Sequence, residues 1–292
     1  MGKRVLAWVG AVGGAVVAAA IALPRWLEPK LVYQPVGASN FLTRPNYAAV
    51  EAGRTMSRIE DVWLTTADGV RIHAWLLGPR KGKVDELPVF LWFHGNAGNN
   101  AGWLPRYETM VDLPARVLAV DYRGYGKSEG TPSEDGLYRD ADAAWEYLTR
   151  ERGIPPGRIF IYGFSLGGAV AIDLASRVRA AGLVIESSFT TLPEVAAAHY
   201  PVIPKSIIRT KMDSLSKIGK IAGPKLFFHS PSDEVVPYGL GRRLFEAASG
   251  PKEFLEVEGA GHNETFEAAG ERLFDAVRRL VRNAGGQPSP RP

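Results

Sequence analysis

The sequence predicts an α/β fold in which a mostly parallel central sheet carries helices on both faces. Short apolar runs alternate with longer helical patterns along most of the chain, as in successive β–α units. The run at 88–93 is almost wholly apolar, which is typical of a strand buried on both faces. The 292 residues, 46% of them hydrophobic, are enough to bury one large core.

The elements follow in order. Residues 61–65 and 70–76 flank Ala67-Asp68-Gly69 and predict an antiparallel hairpin. We expect further strands at 88–93, 115–121, 159–162, 182–185, 224–228 and 253–257. We expect helices after 99 and at 138–151, 165–178, 240–248 and 264–283. This predicts one domain over 58–284, a linker or covering segment at 28–57 and a disordered tail at 285–292. Ligands of such a fold bind at the carboxyl ends of the strands.

Residues 1–27 differ from the rest of the chain. Lys3 and Arg4 precede an uncharged run at 5–23, which as a helix spans about 28 Å, close to the roughly 30 Å of a bilayer core. We expect an uncleaved single-pass anchor, because the run is longer than the apolar core of a usual signal peptide. Basic residues flank both ends of the run, and the charge rule favours the N-terminus inside and the domain outside the cytoplasm. The alternative is a secreted protein, since Ala20-Ile21-Ala22 resembles a signal-peptide cleavage site.

Composition argues against several classes of function. The 35 basic and 31 acidic residues give a net charge of only +4, spread along the chain, so nucleic acid is not an expected partner. The absence of cysteine excludes disulfides, thiolate metal sites and a cysteine-linked lipid anchor. Gly124-Tyr125-Gly126 lacks the spacing of a dinucleotide fingerprint, and no HExxH motif or phosphate loop is present. We therefore expect neither a metal nor an organic cofactor.

The stretch Gly163-Phe164-Ser165-Leu166-Gly167 lies between the strand at 159–162 and the helix at 165–178. A serine between glycines on a strand–turn–helix predicts a nucleophile elbow, whose sharp turn strains the serine backbone and leaves no room for bulky neighbours. The helix that begins there adds unpaired N–H groups. Ser165 is thus the candidate nucleophile.

Of the five histidines, His262 fits a general base best, because it follows the last strand in a glycine-rich loop. The other four have structural interpretations: His73 lies in a hairpin strand, His94 in a backbone-donor loop, His199 in an irregular stretch, and His229 at a strand end, supporting the following loop.

The acid that orients the imidazole needs a fixed carboxylate near a strand end. Asp233, after the strand at 224–228, fits this requirement, with its neighbour Glu234 and the more distant Glu186 as competitors. The order Ser165, Asp233, His262 is the serine–acid–histidine order of one fold family and favours Asp233.

These motifs resemble the α/β-hydrolase superfamily, and within it the membrane-anchored serine hydrolases of the α/β-hydrolase-domain-containing group. The resemblance covers roughly 59–281 and rests on 94–99, 121–130, 163–168, 186–189 and the Asp233 and His262 loops. It implies a catalytic triad of Ser165, Asp233 and His262. It also implies an oxyanion hole of the backbone N–H groups of Asn96 and Leu166, and a loop-shaping role for Asp121 and Arg123. Ser230 stands where similar proteins often have glycine.

The resemblance implies hydrolysis of an acyl ester or thioester, possibly of a lipid, through an acyl-enzyme intermediate. Residues 187–223 form an insertion between two strands, interpreted as a short lid over the acyl pocket. The expected partners are a small-molecule or lipid acyl substrate and the membrane. Two alternatives remain open, a serine peptidase related to aminopeptidases and a non-catalytic, membrane-anchored binding domain.

Overall fold

A computed structural model describes residues 28–37, 57–82, 84–113 and 115–285. This part of the chain forms an eight-stranded sheet. Its strands are β2 (Arg58–Thr65), β3 (Arg71–Gly78), β4 (Val89–Phe93), β6 (Arg116–Val120), β7 (Ile159–Phe164), β8 (Gly182–Glu186), β9 (Lys225–His229) and β10 (Lys252–Glu256). They lie in the order β10-β9-β8-β7-β4-β6-β3-β2. A separate two-residue ladder joins β1 (Gln34–Pro35) to β5 (Ala97–Gly98).

The sheet is mixed but mostly parallel. Strands β4 and β6 to β10 run parallel to one another, whereas β3 is antiparallel to both β2 and β6. The predicted hairpin is confirmed, with Trp63 of β2 directly opposite His73 of β3. Because β4, β7, β8 and β9 are parallel neighbours, their carboxyl ends meet at one edge of the sheet, where the site residues were expected.

Helices cover both faces of the sheet, as predicted. The helices are α1 (Asn100–Val111), α2 (Glu134–Glu146), α3 (Leu166–Ala175), α4 (Leu192–His199), α5 (Leu215–Ile218), α6 (Tyr238–Ala247) and α7 (Thr265–Gly285). Helices α1 and α7 pack on one face and α2, α3 and α6 on the other. Strand β4 supplies both cores, since Leu91 and Phe93 belong to one cluster and Phe90 and Trp92 to the other. This double burial explains its continuous apolar run.

Two details differ from the sequence prediction. Residues 187–223 are not simply irregular, because they contain α4 and α5, and His199 is the last residue of α4. Thr191 caps α4 by accepting a hydrogen bond from the backbone N–H of Glu194. The final helix is not continuous, because Gly270 has φ 50° and ψ −135° and kinks it. Glycine adopts this conformation without the steric cost of a side chain.

The predicted anchor at 1–27 and most of the predicted tail, 286–292, lie outside the described residues. Within 28–37, 57–82, 84–113 and 115–285, no helix combines the length and apolar character needed to cross a bilayer.

Candidate active site

Ser165 occupies the turn between β7 and α3 in a strained backbone conformation, with φ 53° and ψ −117°. The turn closes because two glycines allow very close contacts. A Cβ on Gly163 would lie 2.3 Å from the carbonyl oxygen of Gly167, and one on Gly167 would lie 2.1 Å from the carbonyl oxygen of Phe93. Both distances are too short for any side chain, so the elbow requires glycine at both positions.

Hydrogen bonds hold the Ser165 backbone in this conformation. Its N–H donates to the carbonyl of Glu186 at the end of β8 (2.9 Å), and its carbonyl accepts from the backbone N–H of Gly168 (2.9 Å). The hydroxyl of Ser188 also donates to that carbonyl (2.9 Å). These contacts fix the elbow from the neighbouring strand, which leaves the Ser165 hydroxyl to make other contacts.

Three of the predicted site residues form a continuous hydrogen-bonded chain. Asp233 Oδ2 lies 2.7 Å from His262 Nδ1, and His262 Nε2 lies 2.9 Å from Ser165 Oγ. All three residues are buried. The loops after β7, β9 and β10 meet at this point, so the carboxyl edge of the sheet brings together side chains that are far apart in the sequence.

The Asp233 carboxylate has a hydrogen-bond donor on every side. Its Oδ1 accepts from the backbone N–H groups of Val235 (2.9 Å) and Val236 (2.7 Å). Its Oδ2 faces His262 Nδ1 and also His229 Nε2 (2.9 Å). Burial acts to raise the pKa of Asp233, but the hydrogen bonds from His229 and His262 outweigh it and hold that pKa well below its usual range. The carboxylate is therefore ionised, which favours the tautomer with a proton on His262 Nδ1 and a free lone pair on Nε2.

The His262 loop is fixed independently of the imidazole. The backbone N–H of His262 donates to Glu234 Oε2 (3.0 Å), and the imidazole lies against the Phe164 ring with 5.0 Å between centroids. Glu234, a competitor for the acid, thus contacts the main chain of His262, whereas Asp233 contacts its ring.

Glu186, the other competitor, belongs to a different network. Its carboxylate is buried and accepts hydrogen bonds from Tyr162 Oη (2.6 Å), Thr265 Oγ1 (2.7 Å) and Arg106 Nη1 (3.1 Å). Burial and the Glu186 charge raise the pKa of Tyr162, so this phenol remains a hydrogen-bond donor. The network joins β7, β8, α1 and α7 beneath the elbow.

Two backbone segments flank Ser165 where an oxyanion hole was predicted. Leu166 is the first residue of α3, so its N–H belongs to the first helical turn, whose N–H groups have no acceptor within the helix. On the other side, the carbonyl of Asn96 accepts from Tyr125 Oη (2.7 Å) and from the N–H of Gln34 (2.9 Å). The adjacent Gly95 lies against the elbow, because a Cβ there would be 3.8 Å from Ser165 Cβ. The carbonyl of Asn96 is thereby fixed, and the preceding residue, Gly95, lies beside the serine.

Asp121 and Arg123 contact other parts of the protein. Arg123 pairs with Asp140 and Asp68, and Asp121 accepts the N–H of Asn100 at the start of α1 (2.7 Å). These contacts fit the predicted loop-shaping role.

The His94 side chain also contacts other groups. It is buried, and its Nδ1 donates to the carbonyl of Gly95 (2.7 Å). Burial lowers the pKa of His94, which keeps its ring neutral. Within the described ranges, no cluster of three or more His, Asp or Glu side chains is arranged to hold a metal ion.

The direct contact between His229 and Asp233 was not predicted from the sequence. His229 was expected to support the following loop, and its Nε2 does lie 3.1 Å from the carbonyl of Val236. The same Nε2 also shares Asp233 Oδ2 with His262. The position of His229 as the last residue of β9, at the carboxyl edge of the sheet, was the available signal.

The fold and the site define an α/β hydrolase. Residues 89–216 match the model of the alpha/beta hydrolase family, and the chain belongs to this family. It is 36% identical over 270 residues to the uncharacterized protein Rv2307c of Mycobacterium tuberculosis, covering 91% of this chain and 92% of that protein. It is also 33% identical over 278 residues to the alpha/beta hydrolase domain-containing protein WAV2 of Arabidopsis thaliana, covering 88% of each.

Solved structures share the architecture. The esterase Pf2001 of Pyrococcus furiosus superposes with a TM-score of 0.65 at 19% identity, covering 86% of this chain and 98% of that one. At this identity the likeness establishes the shared fold. Membership of the family indicates a hydrolase.

Proposed function

We propose that this protein is a serine hydrolase that cleaves an acyl ester or thioester through an acyl-enzyme intermediate. One observation carries the proposal: the hydrogen-bonded chain from Asp233 Oδ2 through both nitrogens of His262 to Ser165 Oγ. This order matches the roles of acid, general base and nucleophile. A structural neighbour that is an esterase supports the choice of bond.

The reaction follows from this geometry. Ser165 Oγ attacks the acyl carbonyl carbon while His262 Nε2 takes the hydroxyl proton, and Asp233 stabilises the resulting imidazolium. The oxyanion is bound by the N–H groups of Asn96 and Leu166, each contributing about 3 kcal/mol of transition-state stabilisation. His262 then gives its proton to the leaving alcohol or thiol, and the acyl group remains on Ser165. A water deprotonated by the same histidine releases the acid and restores the hydroxyl.

The proposed substrate is a small-molecule or lipid ester, with residues 187–223 as a lid over its acyl chain. We further propose that 1–27 anchors the protein in a membrane with the domain outside the cytoplasm. The uncharged run at 5–23 supports this part of the proposal. The full chain should sediment with membranes and resist extraction by high salt. A soluble mature product beginning at Leu23 would show secretion instead.

A fluorophosphonate probe tests the chemistry directly. The probe should label the folded protein, and Ser165→Ala should abolish the labelling without lowering the melting temperature. A folded wild-type protein that is never labelled would favour the non-catalytic binding domain. Matched p-nitrophenyl acyl esters and aminoacyl p-nitroanilides then compare the two bond types. Higher kcat/KM for the anilides would make the protein a peptidase.

A further inference from the structure

The segment after α4 carries an unusual group of exposed apolar side chains. Val202 is 89% exposed, and Tyr200, Ile203 and Ile207 are also exposed. In a folded domain, several large apolar side chains exposed within eight residues indicate a surface that contacts something other than water. We call residues 200–208 the apolar segment.

The apolar segment connects the site to the beginning of the described chain. At one end, His199 Nε2 donates to the carbonyl of Val235 (2.7 Å), two residues after Asp233, and the Val235 side chain is itself exposed. At the other end, the Glu28 carboxylate accepts the backbone N–H groups of Arg209 (3.0 Å) and Thr210 (2.6 Å). Glu28 therefore holds the end of the apolar segment close to the point where the predicted anchor ends.

Chain length limits the distance from the bilayer. If residues 5–23 span the membrane, Glu28 follows the span by five residues, which reach at most about 17 Å even when fully extended. Leu31, 64% exposed, lies in the same short helical stretch as Glu28, at 28–32. The apolar segment is thus held within reach of the membrane surface.

The charges of this region favour anionic lipid over a protein partner. Residues 200–211 include Lys205, Arg209 and Lys211 and contain no acidic residue. The nearby Glu28 and Glu134 carboxylates accept backbone N–H groups from 209–212, so they are engaged on the protein side. Glu194 lies 3.9 Å from Lys205 and 2.9 Å from Arg243, so this group of three keeps a net positive charge. Exposed apolar side chains with interspersed basic residues are the composition that binds the headgroup region of an anionic bilayer.

We propose that the apolar segment, with Leu31 and Val235, inserts into the headgroup region of an anionic lipid bilayer beside the active site. Contact with the bilayer does not depend on catalysis. The substrate class that follows, a lipid ester taken from the bilayer surface, rests on the proposed function. Residues 200–208 would then face the membrane in addition to the lid role proposed for 187–223.

The absence of cysteine allows a site-specific test in the full chain. Val202→Cys and, as a control, Gly157→Cys would each be labelled with an environment-sensitive fluorophore. Gly157 lies just before β7, at the opposite edge of the sheet, and a Cβ there has no neighbour within 4 Å. Both proteins would be inserted into vesicles of phosphatidylcholine and phosphatidylglycerol, and into phosphatidylcholine alone.

The label at 202 should shift to shorter wavelength and be quenched by headgroup-region nitroxide lipids, more strongly with phosphatidylglycerol, whereas the label at 157 should stay water-like. A water-like label at 202 in vesicles that retain the protein would overturn the proposal. Shielding that rises with protein density at constant lipid composition would also overturn it, in favour of contact with a second copy. Because the measurement can be repeated on Ser165→Ala, it remains decisive if the protein proves inactive.

An activity comparison tests the substrate class. Val202→Asp should lower hydrolysis of a vesicle-embedded long-chain ester by at least about tenfold, because the charged side chain opposes insertion. Its loss on a short water-soluble ester should be much smaller, so the ratio of vesicle to soluble activity should fall, whereas Val202→Leu should keep the wild-type ratio. Equal losses on the two substrates would contradict a role in reaching lipid.

Discussion

Replacing Asp233 by asparagine is the sharpest test of the proposed acid. Oδ1 accepts two backbone N–H groups, so the asparagine oxygen is expected to keep that side and its NH₂ group to take the place of Oδ2. That NH₂ would then face His262 Nδ1 and His229 Nε2. Because two donors cannot bond each other, His262 must carry its proton on Nε2, where it can no longer accept the proton of Ser165.

The structure also gives a magnitude. Unit charges separated by the 2.7 Å between Asp233 Oδ2 and His262 Nδ1 attract each other by about 6 kcal/mol at an effective dielectric constant of about 20. This attraction develops only when the imidazole becomes protonated in the transition state. Its loss corresponds to a fall in kcat of about 10⁴-fold, since each 1.36 kcal/mol is a factor of ten.

The assay is kcat for p-nitrophenyl ester hydrolysis, with melting temperature as a check on folding. Glu234→Gln is the matched control, because its amide oxygen can still accept the N–H of His262. It should change kcat by less than about threefold. Retention of more than about a tenth of the activity by Asp233→Asn would rule out Asp233 as the acid. Loss in a folded Glu186→Gln variant, with activity retained in Asp233→Asn, would move the acid to Glu186.

Three further predictions concern the surrounding structure. His229→Leu should lower kcat/KM by roughly tenfold, because it removes a charge-assisted hydrogen bond to Asp233, and an unchanged kcat/KM would show that His262 alone fixes the carboxylate. Gly167→Ala should cost about 3 kcal/mol of stability and lower the melting temperature by roughly 6 to 12 °C, and a melt equal to wild type would contradict the close contact with Phe93. Burial, with a smaller effect of Lys252, lowers the pKa of Lys225 to about 8 from 10.5, so between these values the unfolded chain binds the proton and the folded protein does not. Stability relative to Lys225→Met should therefore rise with pH across this window, and melts at several pH values that show a constant or falling difference would refute it.

The strands and helices that could be predicted from the sequence are those whose hydrophobic pattern is set by residues close together in the chain. Strand β4 was recognisable because Leu91 and Trp92 serve opposite cores, which leaves no polar position in the run. Helix α4 was missed because its apolar pattern is short. Its start was nevertheless encoded in Thr191-Leu192-Pro193-Glu194, an N-cap threonine followed by proline in the first turn and glutamate at the third position.

Contacts between residues that are far apart in the sequence could not be predicted from the local hydrophobic pattern. The order of elements allowed Ser165, Asp233 and His262 to be placed at one edge of the sheet, because each follows a strand. The position of His229 at the end of β9 predicts that it lies near this edge. That it shares an oxygen of Asp233 with His262 depends also on the relative orientation of β9 and the loop after β10. The kink at Gly270 likewise depends on how α7 packs, although a glycine within a helical pattern is a known weak point.

The ladder between β1 and β5 determines how far the N-terminus can be shortened before activity is expected to fall. The N–H of Gln34 is one of two donors that hold the carbonyl of Asn96, the other being the hydroxyl of Tyr125. A truncated protein that starts at Arg58, where the continuous sheet begins, would keep the serine, histidine and aspartate but lose half of that support. Shortening the chain to improve its solubility would then weaken turnover while the circular dichroism spectrum stayed native. Residues 34–35 would in that case support the predicted oxyanion hole, although they lie outside the main sheet.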